Sequence, residues 1–373
     1  MELWKFRDTM SRSAETKGLR GIGSVAKVFS ILGSAISYWR RGPAYSGVVA
    51  QTAFFPHPTH TKEEIMKRMS VIITLFLCVA LLGSSALAAD KIVLKKYPDL
   101  KMGFLNVNFI KQWPLGVESA KKVIDFASEQ GFSWIELRDP FATLTLAQAK
   151  DLAVYAKQRD IEVAYAMNIG LLDPNFWEVF SRGLANAAVF DGPRTIRTAG
   201  PGLEFATNDK KTSWTFAELQ KAVETANDAA NLAKTVGLQY VVENGLEPIK
   251  GDGTSTFGTV ELFGNANSNL GFQLDTGNFF CVSRVWTKPA DAQAFIEKYA
   301  GRMGYMHLKT SSPDHKVQQV LADNELDFDI IFDIAAKAKM PYVGFELDQP
   351  ATLEQAIENH KNSITYLKGK FGG

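Results

Sequence analysis

A chain of 373 residues that is 46% hydrophobic and 22% charged carries enough apolar material for a large core and lacks the composition of a disordered polymer. Its 41 basic and 40 acidic side chains leave a formal net charge of +1, so no strong field draws a polyanion, and nucleic acid is not an expected partner. Two cysteines occur, Cys78 and Cys281, too far apart in expected fate to form an internal disulfide, because the first lies in a segment expected to be removed.

Residues 1–65 scatter Gly, Ser, Arg and Pro without a sustained amphipathic period, and they read as an upstream extension, with translation expected to start at Met66 or Met69. Residues 66–89 then run from Lys67 and Arg68 through the apolar stretch Val71 to Leu82 into the small residues Gly83 to Ala89. That order describes a secretory signal peptide, and the run is shorter than the roughly 20 apolar residues of a membrane span. The expectation is a secreted, periplasmic protein that keeps no stable membrane span after processing, with residues 90–373 as one domain.

Within that domain, short β-rich runs alternate with amphipathic helical stretches. Strands are predicted at Met102–Asn106, Trp134–Arg138, Glu162–Asn168, Thr195–Thr198, Tyr240–Glu243, Phe272–Asp275, Gly304–Lys309 and Val343–Leu347, each followed by a helix. Phe216, Leu219, Val223, Ala226, Ala230 and Ala233 recur at helical spacing, as do Leu326, Ile330, Ile334 and Ala338. Capping boxes are read at Thr145 with Gln148, Thr215 with Glu218, and Thr352 with Gln355; Gly131 and Gly237 are helix stops. Eight βα units in this length predict an α/β fold, a single-domain (β/α)8 TIM barrel. No G-x-G-x-x-G follows the first strand, where Gly103-Phe104-Leu105-Asn106 leads into Val107, so a dinucleotide-binding sheet loses its main support.

In such a barrel the active site is built at the C-terminal ends of the strands. The predicted strands end in Glu136-Leu137-Arg138, Asn168, Arg197, Glu243-Asn244, Asp275, His307-Leu308-Lys309 and Glu346-Leu347. Three carboxylates and an imidazole converging on one apolar-walled mouth call for a cation. Glu243, Asp275, His307 and Glu346 are therefore the candidate ligands of one divalent metal. Their oxygen-rich set suits Mn2+, Mg2+ or Co2+, with Zn2+ also compatible. His315 and His360 read as structural or solvated.

Val242-Glu243-Asn244, Leu274-Asp275-Thr276-Gly277-Asn278, His307-Leu308-Lys309 and Phe345-Glu346 resemble, in order, the metal-ligand segments of the xylose-isomerase-like barrel superfamily of sugar and sugar-phosphate isomerases and epimerases. The resemblance implies that Glu243 and Glu346, besides holding metal, act as the catalytic proton-transfer carboxylates on opposite faces of a sugar. Two departures stand out. Family epimerases carry a histidine where this chain has Asn278, and an arginine where it has Pro313; both side chains touch substrate hydroxyls there.

The expected reaction is isomerisation or epimerisation of a small-molecule sugar or sugar derivative, by proton abstraction beside a metal-polarised carbonyl through an enediolate. Glu136, Asn168, Arg197, Asn278 and Lys309 are expected around the substrate, and Trp113, Phe279, Phe280 and Trp286 are candidates to stack on it. The alternatives are a lyase or hydrolase of oxidised (keto) glycosides, and, from another class, a non-catalytic sugar-binding barrel. A multi-zinc nuclease needs more histidines than the barrel offers. The oligomeric state is left open.

Overall fold

The computed structural model describes residues 89–199, 216–244, 259–278, 289–310, 316–323 and 326–373. The expected upstream extension, the signal peptide through Ala88, Thr215, Phe279, Phe280, Cys281, Trp286, Pro313 and His315 lie outside these residues.

The strands are β1 (Lys101–Leu105), β2 (Trp134–Arg138), β3 (Glu162–Ala166), β4 (Thr195–Thr198), β5 (Gln239–Glu243), β6 (Gly271–Asp275), β7 (Met303–Leu308) and β8 (Tyr342–Phe345). The helices are α1 (Val117–Glu129), α2 (Leu146–Gln158), α3 (Phe176–Ala187), α4 (Phe216–Thr235), α5 (Thr259–Asn265), α6 (Pro289–Tyr299), α7 (Phe328–Lys337) and α8 (Leu353–Phe371). Neighbouring strands pair in parallel and β8 pairs with β1, which closes a (β/α)8 barrel. Among the described residues no helix is long and apolar enough to cross a membrane.

Period-two alternation sends one set of strand residues outward to the helices and the other inward. On β2, Ile135 and Leu137 face outward, while Trp134, Glu136 and Arg138 share the inner face. The barrel is filled, not hollow: the Trp134 indole donates to Lys101 O at 2.9 Å and meets Tyr305 edge-on at 5.6 Å. Gly103 and Gly344 make room for it, since a Cβ on Gly103 would stand 2.5 Å from the indole and one on Gly344 3.0 Å from it.

Several predicted boundaries shift. β3 stops at Ala166 rather than Asn168, β1 at Leu105 rather than Asn106, and β7 at Leu308 rather than Lys309. β8 stops at Phe345, so Glu346 and Leu347 lie just past it; β1 itself ends at Leu105, opposite Glu346 in register, and the residue opposite Leu347, Asn106, has already turned into a short 3-10 helix at Asn106–Phe109. Both predicted helical faces hold in the main: Leu219, Ala226, Ala230 and Ala233 of α4 are buried, as are Leu326 and Ile334 at α7. Phe216 and Ile330 are the exceptions, being exposed, while Ala222 and Ala229 on α4 and Phe328, Ile331, Phe332 and Ala335 on α7 widen the buried faces.

The Thr145–Gln148 capping box forms, and the Thr352 hydroxyl caps α8 by accepting from Gln355 N. Gly131 and Gly237 adopt φ values of +77° and +72° just past α1 and α4, a conformation that favours glycine.

The residues leading into β1 fold under the barrel. Lys95 N donates to Gly372 O at 2.9 Å and Lys96 N to Phe371 O at 3.1 Å. Tyr97 packs edge-on to Phe332 and Phe371 at 5.4 Å, closing the face from which the strands begin.

Candidate metal centre and active site

Because the strands are parallel, their last inward residues gather at one mouth. Glu243 ends β5, Asp275 ends β6, His307 sits on β7 opposite Asp275 in register, and Glu346 follows β8. One ligand atom from each lies within 4.8 Å of all the others. His307 Nδ1 faces the three carboxylates, at 2.8 Å from Glu346 Oε2, 3.5 Å from Glu243 Oε1 and 3.8 Å from Asp275 Oδ2.

The donor set fits a divalent cation on an observation of its own. Asp275 Oδ2, His307 Nδ1 and Glu346 Oε2 are buried, and none of them closes a hydrogen bond. Charged neighbours stand at contact distance, Lys309 Nζ at 2.7 Å from Asp275 Oδ2 among them, but not with hydrogen-bond geometry. The other Asp275 oxygen is tied down by Gly277 N at 2.9 Å and Asn278 N at 3.0 Å. Three of the four candidate ligands thus each turn one unbonded buried atom toward a common region, as a cation site requires.

The far side of His307 is equally built. Its Nε2 lies 2.8 Å from Glu136 Oε2, and that carboxylate also accepts from Tyr305 Oη at 2.7 Å and from Arg138 Nη2 at 3.0 Å. With the proton on Nε2 donated to Glu136, Nδ1 is left as the free ligand atom. Burial alone would raise the Glu136 pKa, yet His307, Arg197 and Arg138 outweigh it and hold the carboxyl well below its ordinary range. Burial likewise opposes a charge on His307, but Glu136 and the other carboxylates push its pKa well above 6.5 when no cation competes.

Two cations serve the three ligand carboxylates: Arg197 pairs with Glu243, and Lys309 is shared by Asp275 and Glu346. Buried Arg197 pairs through Nη2 with Glu243 and, against the cost of burial, lowers its pKa to about 2. Lys309 Nζ lies 2.9 Å from Glu346 Oε1 and holds that pKa well below 4.5 although burial acts the other way. Burial prevails at Asp275, whose pKa is raised.

The residues expected around substrate fall into three groups. Glu136 and Arg197 are buried in the mouth with protein partners; Arg197 also reaches Gln273 Oε1 at 3.3 Å. Lys309 and Asn278 hold each other, Nζ to Oδ1 at 2.9 Å, and Asn278 Nδ2 donates to Asn244 O at 3.0 Å. Asn168 is half-buried, 3.5 Å from Arg197 Nη1, and Trp113 is half-buried and stacked on Phe109 at 4.8 Å. His360, read as structural or solvated, is structural: it is buried on α8, with Nδ1 2.7 Å from Ala356 O.

Sequence reasoning passed over Arg138, Tyr305 and Gln273 as members of the site. Counting back by two from His307 and Asp275 would have found Tyr305 and Gln273, since residues of one parity share the inner face.

The family model described as xylose isomerase-like TIM barrel matches residues 124–368. Among solved structures, the chain is similar to a sugar phosphate isomerase/epimerase from Parabacteroides distasonis, with 15% identity, 78% of this chain and 98% of that chain covered, and a TM-score of 0.55. It is similar to a D-psicose 3-epimerase in the presence of D-fructose, with 17% identity, 74% and 100% covered, and a TM-score of 0.54. It is also similar to the IOLI protein with a bound zinc atom, with 15% identity, 73% and 99% covered, and a TM-score of 0.53. A sequence comparison with curated proteins finds no match.

Proposed function

Because this chain belongs to the xylose isomerase-like TIM barrel family, we propose that it is a divalent-metal-dependent sugar isomerase or epimerase. The observation that carries the reading is the convergence of Glu243, Asp275, His307 and Glu346, the last three each turning an unbonded buried atom toward the others. The fold it shares with sugar epimerases and isomerases supports the same class. Mn2+, Mg2+ or Co2+ is the proposed ion, with Zn2+ compatible.

Held by these four residues, a divalent cation supplies Lewis acidity toward the carbonyl of a bound sugar. Glu243 and Glu346 reach the mouth from strands three places apart, so they address a substrate from different sides. One removes the proton beside the carbonyl, giving an enediolate, and the other returns a proton to the neighbouring carbon or the opposite face. Arg197 and Lys309 keep the two carboxylates ionised and aimed, and Lys309 stands ready to meet developing oxyanion charge. Glu136, enclosed by protein donors, orients His307 rather than meeting substrate; Asn168 and Trp113 remain the proposed contacts for sugar hydroxyls and ring, whereas Asn278 acts through Lys309, which its Oδ1 holds.

One observation favours a second reading. Asn278 stands where family epimerases place a substrate-touching histidine, and both ends of its amide are committed to Lys309 and Asn244. A keto-glycoside lyase uses the same proton abstraction to expel a leaving group. Export belongs to the proposal as well, with cleavage after Ala88 or Ala89; N-terminal sequencing of protein from the exported fraction tests it, and a chain retaining Val71 to Leu82 defeats it.

The deciding experiment is metal analysis of the purified protein, followed by solvent-deuterium incorporation with free, phosphorylated and oxidised sugars. Deuterium at the carbon beside the carbonyl is expected. Binding of a sugar with no exchange on any of them would point to a non-catalytic barrel.

A further inference from the structure

Glu346 is the one candidate ligand that stands beyond the end of its strand. On the β7 side it is still held, its N donating to Leu308 O at 3.0 Å. On the β1 side the backbone ladder runs out at the pairing of Phe104 with Phe345, because the chain after Leu105 leaves in the 3-10 helix. We propose that Asn108 is a positioning residue that holds Glu346 in the mouth by standing in for the missing rung of the β1 ladder, with His360 fixing the direction of its amide.

The geometry is that of a peptide group. In a parallel pair, one residue donates to the carbonyl before the residue opposite it and accepts from the N–H after it. Asn108 Nδ2 donates to Phe345 O at 2.9 Å and Oδ1 accepts from Leu347 N at 3.3 Å. The residue between those two is Glu346. Asn108 is buried, so water does not supply these bonds.

His360 decides which way the amide points. Its Nδ1 lies 2.7 Å from Ala356 O and therefore carries the proton, which leaves Nε2 to accept from Asn108 Nδ2 at 3.2 Å. A flipped amide would turn Oδ1 toward both the Nε2 lone pair and Phe345 O. The ring itself cannot swing away, since it stacks on Phe109 at 4.9 Å and meets Phe104 edge-on at 5.1 Å.

A related clamp, in which an asparagine amide closes on the N–H and C=O of a single residue, occurs beside two other strand ends. The Asn244 amide accepts from Asp275 N at 2.6 Å and donates to Asp275 O at 2.9 Å, and the Asn106 amide bonds Arg138 N at 3.0 Å and O at 3.3 Å. Asparagine side chains thus bond backbone groups at Asp275, around Glu346 and at Arg138, all of them at the mouth.

The link to metal rests on the function proposed above, whereas the clamp itself does not, and the test separates them. Asn108→Leu keeps the volume and removes the amide. In metal-free protein, hydrogen–deuterium exchange over residues 343–349 should rise at least about tenfold at the Leu347 amide. Titration with Mn2+ alone should show affinity lower by about tenfold, and in a Glu346→Gln background the same substitution should add less than about twofold. Asn186→Leu, which removes a buried amide bonded to Leu144 O and Tyr165 away from the mouth, should leave Mn2+ affinity unchanged. If Asn108→Leu fails to fold, His360→Leu leaves the amide in place but unanchored and should show the same changes, smaller. Unchanged exchange at Leu347 overturns the clamp, and an equal Mn2+ loss in both Glu346 backgrounds overturns its positioning role. A wild-type protein that takes no Mn2+ or other divalent ion defeats the metal reading, and the exchange result then decides on the clamp alone.

Discussion

Among the described residues two histidines are shut away from water, and they are held in opposite states. His307, on the inner face of β7, looks onto Glu136, Glu243, Asp275 and Glu346, and its pKa is driven well above 6.5. His360, on α8, is boxed by Phe104, Phe109, Phe126, Phe132 and Phe345, and burial lowers its pKa to about 4. Burial opposes charge on both rings. What differs is whether anionic partners were buried with them, and that single difference separates a cation-competent cluster from a neutral structural pin.

The largest test of the contrast strips charge from the mouth. Glu243→Gln and Glu346→Gln, assayed at saturating metal, should each lower turnover by about 10²–10⁴-fold while the barrel stays folded. Solvent deuterium should fail to enter the substrate in the variant lacking the abstracting base; undiminished exchange in both would remove these glutamates from the chemistry.

The next addresses the aromatic pocket. A folded pKa of about 4 against 6.5 unfolded means that the unfolded chain takes up the proton first, so His360 contributes fully above pH 6.5 and its contribution is lost as pH falls toward 4. The loss is on the order of 3 kcal/mol. In urea titrations, His360→Gln should flatten this acid slope, and wild type and variant falling in parallel between pH 6.5 and 4 would show that the ring is not held neutral.

A smaller effect belongs to the carboxylate behind His307. Glu136→Gln should weaken Mn2+ binding by about 10–100-fold in calorimetric titration, since the imidazole loses the acceptor that orients it; unchanged affinity would mean that the ring needs no anionic support. Smallest is Tyr305→Phe, which takes one donor from Glu136. It should lower the free energy of urea unfolding by about 1–3 kcal/mol and weaken Mn2+ less than Glu136→Gln does.

The mouth was far more legible in the sequence than the pocket, for a physical reason. Glu243, Asp275, His307 and Glu346 end or follow strands whose hydrophobic runs mark them, so fold class and candidate site could be read together. Tyr305 and Arg138 needed only the parity rule. His360 sits in the polar run Glu358-Asn359-His360-Lys361-Asn362, which reads as a solvated face. His360 and Ser363 are nevertheless buried, because partners far along the chain satisfy them: Asn108 for His360, and Leu321 N, which donates to Ser363 Oγ at 3.0 Å. Local periodicity carries no trace of such partners. Nor does it show that the amides of Asn108 and Asn244 act as backbone, since both stand outside the strands they extend. Phe216 and Ile330 mislead in the other direction, being apolar at helical spacing yet exposed.

The seam beneath the barrel, where Lys95 and Lys96 bond Gly372 and Phe371, lies on the face from which the strands start. The candidate site opens at the other face, where the strands finish. A bead, electrode or fusion partner attached through Gly373 would therefore anchor the molecule mouth outward, leaving the route for a small substrate clear. Immobilisation through the solvent-side lysines of the helices would instead orient the barrel at random.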